Sequence, residues 1–89
     1  MTSRHHYAEL LRHDGEYAVY RFTPDSITKQ QWGVVRFRIS NCELEIVEYA
    51  ETSHLDHEYQ QSACSALAHK LKTHMAARDD IPLSLEFVA

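Results

Sequence analysis

The stretch Trp32-Gly33-Val34-Val35-Arg36-Phe37-Arg38-Ile39-Ser40-Asn41-Cys42-Glu43-Leu44-Glu45-Ile46-Val47-Glu48-Tyr49-Ala50 decides the fold. It divides into two runs rich in β-branched and aromatic residues, Trp32 to Ser40 and Glu43 to Ala50, around a short polar turn at Ser40-Asn41-Cys42. In either two-residue register around Asn41, Val35, Phe37 and Ile39 fall on the same side as Leu44 and Ile46. The other side sets Arg36 and Arg38 against Glu43, Glu45 or Val47, and opposite charges across paired strands contribute about 0.2 to 1 kcal/mol each. Apolar pattern and charge pattern agree on one antiparallel hairpin.

Toward the N-terminus, the segments Tyr7 to Arg12 and Glu16 to Thr23 flank Asp14-Gly15, the strongest short-range hairpin signal in the chain. They read as two further strands. A competing reading makes residues 4–12 an amphipathic helix, because Tyr7, Leu10 and Leu11 also fall at helical spacing. Thr23-Pro24-Asp25-Ser26 has turn or short-helix chemistry and ends the second strand.

Toward the C-terminus the period becomes helical from Ser53 to Arg78. Ser53 and Asp56 resemble a capping box. Asp56 and Glu58 lie early and Lys70, Lys72 and Arg78 late, the order the helix dipole favours. Cys64, Leu67, Ala68, Leu71 and Met75 form an apolar stripe, with His54, Glu58, Gln61, Ser65, His69 and Lys72 opposite. Pro82 stops any continuation, and the alternation of Leu83 to Val88 places Leu83, Leu85 and Phe87 in the core.

The expectation is one α+β domain over residues 1–89, in two layers: a mainly antiparallel sheet of four or five strands with one long helix on one face. Composition fits a small soluble domain: 89 residues, 44% hydrophobic and 25% charged, with two glycines and two prolines. No apolar run approaches the roughly 20 residues of a membrane span or a signal-peptide core. Two cysteines, Cys42 and Cys64, are too few for a disulfide framework, so a cytoplasmic setting with free thiols is expected.

One helix, about 10 to 12 Å wide, is too narrow for a sheet of five strands, about 19 Å between its edge axes. Tyr17, Val19, Trp32, Val34, Val47, Tyr49 and Val88 are expected on the uncovered face, interrupted by Arg21, Arg36, Arg38, Glu43, Glu45 and Glu86. Aromatic and arginine residues among aliphatic ones resemble an interface core. The functional expectation is therefore a non-enzymatic interaction or regulatory module, binding through Tyr17, Val19, Trp32, Val34, Arg36, Arg38 and Tyr49. Its partner is a second copy, forming a homodimer, or another protein.

Two other classes compete. An open sheet with Tyr17, Trp32, Tyr49 and three arginines has the makings of a base-stacking surface, but the glutamates on that face and the net charge of −4 oppose a polyanion. An enzyme would need an activated group. Cys64 belongs to the apolar stripe, and Cys42 has no basic sequence neighbour to lower its pKa. His54, His57 and Glu58 have metal-ligand spacing on one helical turn, a weak and common signal, and Gln61 stands where a zincin requires its second histidine. No cofactor is implied, since two isolated glycines make no phosphate-binding loop.

Seven histidines complete the picture: His5, His6, His13, His54, His57, His69 and His74. All are expected on the surface, with His5-His6 as a mobile pair. Protonation of the seven would take the chain from −4 to +3, so charge-dependent association is expected to change between about pH 5 and 7.5.

Overall fold

A computed structural model describes residues 5–23, 31–51, 57–78 and 80–88. Five strands, β1 (His5–His13), β2 (Tyr17–Thr23), β3 (Gly33–Arg38), β4 (Leu44–Glu48) and β5 (Ser84–Val88), and one helix, α1 (His57–Arg78), occur in the order β1-β2-β3-β4-α1-β5. The strands form one sheet ordered β4-β3-β2-β1-β5, with every neighbouring pair antiparallel. This is the expected α+β architecture. Residues 5–13 are strand because burial there has period two: His6 and Ala8 are buried and Leu10 half-buried on one side, a pattern the helical alternative does not supply.

The first hairpin uses Asp14 differently from the usual Asp-Gly turn. Asp14 N donates to Tyr17 O, while Asp14 Oδ1 accepts from Glu16 N at 2.7 Å and Tyr17 N at 2.8 Å. The side chain, not a left-handed glycine, closes the turn, and Gly15 has no positive φ. Those two amides hold the Asp14 carboxyl below the usual carboxylate range. Its contribution is therefore present at neutral pH and is lost as pH falls through that lowered value.

In the second hairpin Phe37 faces Leu44, Arg36 faces Glu45 and Val35 faces Ile46, the register the charge pattern predicts. The connection is wider than two residues: Cys42 N donates to Arg38 O, and Cys42 takes a φ of 57°. Past Ile46 the ladder slips. Glu48, not Val47, faces Val34, so Val47 is the extra residue of a β-bulge. A second bulge leaves Leu11 unpaired between Leu10, facing Tyr20, and Arg12, facing Val19.

Since β4 and β5 lie on opposite edges and run the same way, a crossover must span the sheet, and α1 supplies it. Its buried face, Gln60, Ala63, Cys64, Leu67 and Leu71, meets Ala8, Ala18, Tyr20, Phe22, Val35, Phe37 and Leu85. Glu58, Gln61, Ser65, His69 and Lys72 are exposed, as the helical periodicity predicts. The expected cap at Ser53 and Asp56, like the Pro24-Asp25-Ser26 turn, lies outside the described residues. Leu83 departs from expectation: it precedes β5 and is 80% exposed, while Leu85 is buried and Phe87 half-buried.

Two buried polar groups tie the layers together. Gln60 Oε1 accepts from Ala50 N and its Nε2 donates to Ala50 O, both at 2.8 Å, so one amide serves the backbone beyond β4 as a neighbouring strand would. The Tyr20 hydroxyl donates to Pro82 O at 2.6 Å, which pins the approach to β5 from two strands away.

The two glycines have opposite roles, and stability measurements distinguish them. A Cβ at Gly33 would stand 2.5 Å from Glu48 O and 2.7 Å from Ala50 N, both backbone atoms, so Gly33→Ala must move β4. Denaturant unfolding should show it destabilised by about 1 to 3 kcal/mol. Nothing lies within 4 Å of a Cβ at Gly15, so Gly15→Ala should stabilise by about 0.4 to 1 kcal/mol through the unfolded chain.

Candidate functional site

Alternation across the paired strands gives the sheet two unlike faces. Against α1 lie the core residues; on the other side, Tyr7, Glu9, Tyr17, Val19, Arg21, Val34, Arg36, Arg38, Glu45 and Glu86 share one surface, by the registers of all four ladders. Among the described residues no element packs on it, but Val19 and Thr23 within it are buried, 7% and 1% exposed, beneath neighbouring parts of the chain. Of the seven expected binding residues, Tyr17, Val19, Trp32, Val34, Arg36 and Arg38 lie on this face or at its margin.

Tyr49 does not. Its ring stacks on His57 at the start of α1, with centroids 3.8 Å apart and planes 10° apart, and its hydroxyl accepts from Gln61 Nε2 at 2.8 Å. The Val47 bulge inverts the alternation, so Glu48 takes the open face and Tyr49 the helix face. Nothing in the local sequence marks that inversion.

The arginines are held between aromatic rings and carboxylates. Arg21 Cζ lies 4.2 Å from the Trp32 ring centroid, and the guanidinium binds Glu9. Tyr7 meets Trp32 edge to face at 6.3 Å. Arg36 Cζ lies 4.5 Å from the Tyr17 ring and its Nη2 is 2.7 Å from Glu45 Oε1. Arg38 lies 5.5 Å from the same ring, donates to the Tyr17 hydroxyl at 3.0 Å and is 3.9 Å from Glu16. Tyr17, Arg36, Arg38, Glu43, Leu44 and Glu45 line a depression open to solvent. Such contacts add roughly 0.5 to 1 kcal/mol per exposed cation–ring pair.

Charge on this face runs in stripes. Glu9 and Glu86 flank one side of the arginines, and Glu43, Glu45 and Glu48 the other. Arg21, Arg36 and Arg38 each have a carboxylate partner within the chain, whereas the exposed Arg12, opposite Val19, is in no such pair among the described residues. The positive column is thus neutralised locally, and the rim of the face is acidic.

The remaining candidates are dispersed. His54 lies outside the described residues; His57 and Glu58 are exposed, with His57 taken up by Tyr49. No set of three metal-ligating side chains converges among the described residues. Cys64 is fully buried, which pushes its thiol up to about 12. Cys42 is also raised, by burial, against a smaller opposing effect from Lys72. Neither is an activated nucleophile.

His6 overturns the expectation of a mobile surface pair. It is fully buried, stacked parallel to Phe87 at 5.6 Å and edge-on to Tyr59 at 5.7 Å. Neighbouring apolar period-two residues would have placed it inside. His13, His57 and His69 are exposed, and His74 pairs with Asp80. No helix among the described residues is long and apolar enough to cross a membrane.

Comparison with protein-family models, curated proteins and solved structures gives no match for this chain.

Thiol labelling checks the assignment of the cysteines. At pH 8 the folded protein should react with a disulfide reagent at Cys42 alone, and Cys64 should react only on unfolding. Rapid labelling of Cys64 under native conditions would contradict its burial.

Proposed function

We propose that this chain is a small, non-enzymatic protein-interaction module that self-associates and presents its uncovered aromatic and arginine sheet face to a protein partner. The observation that carries the reading is a five-stranded sheet with α1 on one face and, among the described residues, no element on the other. That other face holds Trp32 and Tyr17 with three arginines over their rings. Aromatic and arginine side chains already paired in this way give up little conformational freedom on binding, which suits them to act as anchors.

The charge stripes narrow the partner's chemistry. A surface with aliphatic residues at its centre and basic residues at its rim complements the valines and aromatics here and the flanking glutamates. A nucleic acid does not, because Glu9, Glu16 and Glu45 already occupy the arginines and the chain carries a net charge of −4. Two open faces meeting each other would bring acidic rims together, so self-association belongs elsewhere on the molecule. The two free thiols suit a reducing, cytoplasmic setting.

Trp32, the one tryptophan of the chain, reports on this face directly. Selection from a random peptide display library should enrich segments with an aliphatic centre flanked by lysine or arginine, and their binding should shift Trp32 emission. Tyr17→Ala and Arg36→Glu should each weaken that binding about tenfold or more. Binders indifferent to both substitutions, or an oligonucleotide bound at about 50 mM salt with steep salt dependence, would contradict the reading.

A further inference from the structure

The two edges of the sheet are unlike. The β4 edge carries Glu43, Glu45 and Glu48 and is kinked by the Val47 bulge, two devices that discourage a further strand from pairing. The β5 edge has no bulge and a single charged residue, Glu86. Its ladder to β1 is regular from Ser84 to Val88, and it lacks proline and lysine. Leu83 and Val88 at its two ends are 80% and 59% exposed.

Backbone direction sets which registers a strand added to β5 can take. Leu10 N donates to Leu83 O, so Leu83, and with it Leu85 and Phe87, turns its peptide groups toward β1. The alternate residues Ser84, Glu86 and Val88 turn theirs to the outside. A second β5, approaching antiparallel about a two-fold axis, must therefore align its own alternate residues with these.

We infer that β5 pairs with β5 of a second copy, with Leu85 on the two-fold axis. In this register Ser84 faces Glu86 of the second copy, twice, and the exposed Leu83 faces Phe87 of the second copy, twice. The neighbouring register, centred on Glu86, would set one glutamate against the other. Centring on Phe87 would leave Leu83 uncovered. The chosen register avoids the like-charge contact and covers the most exposed aliphatic side chain near this edge. It deepens the proposed self-association, and it leaves both open faces accessible on one continuous sheet of ten strands.

Sedimentation from about 1 µM to about 1 mM tests it, with circular dichroism confirming that each variant folds. Position 84 is exposed, and each substitution there acts twice across the axis. Ser84→Glu, facing Glu86 of the second copy, should weaken the dimer roughly 2- to 30-fold, and Ser84→Lys should strengthen it over the same range. Tyr17→Ala should leave dimerisation unchanged. A wild-type chain that stays monomeric at the highest concentration overturns the inference, as does a dimer that responds to both Ser84 substitutions in the same direction or to neither. A dimer lost in Tyr17→Ala also overturns it while supporting a role for the open face, so failure of the edge and failure of the face are told apart.

Discussion

A single helix about 10 to 12 Å wide serves a sheet about 19 Å across, and the rest of this structure follows from that mismatch. The one helix face available is spent on Cys64, Leu67 and Leu71, which close over Tyr20, Phe22, Val35 and Phe37. The sheet's second face, on which no described element packs, holds polar and charged side chains that suit contact with water. The guanidinium carbons of Arg21 and Arg36 lie 4.2 and 4.5 Å from the Trp32 and Tyr17 ring centres, so charge is placed over apolar ring surface. Carboxylates on neighbouring strands then hold the guanidinium groups in place.

The crossover imposes a second demand. The chain leaves β4 at one edge and must re-enter as β5 at the other, so both ends of α1 need anchoring. Gln60 secures the first by gripping both peptide groups of Ala50, and Tyr20 helps secure the second through Pro82. An amide inside an otherwise apolar face is costly unless every polar atom is used. Gln60 meets that condition by replacing hydrogen bonds that a sixth strand would have made.

Much of this was legible in the sequence because two independent patterns coincided. Alternation and cross-strand charge both place Arg36 opposite Glu45, and the helical stripe through Cys64, Leu67 and Leu71 is the buried face of α1. What was not legible depended on tertiary geometry. The bulge at Val47 is a backbone event with no residue signature, yet it moved Tyr49 from the open face to the helix. His6 looked like a terminal polar residue, but strand pairing with Phe87 carried it into the core. Leu83 shares the parity of Leu85 but precedes β5 and is exposed. Gln60, next to Gln61 in the sequence, was indistinguishable from a solvated helix residue until Ala50 came to face it.

The central claim is that, in the isolated chain, one face of the sheet is dry and the other open. Solution NMR with a soluble paramagnetic agent, on a dilute monomeric sample, measures this residue by residue. Strong broadening of the Tyr17, Val34 and Val47 side chains, with Val35, Phe37, Leu67 and Leu71 protected, is the predicted result. Equal protection of Tyr17 and Val34 with Val35 and Phe37 would mean that the second face is covered, and would contradict the account.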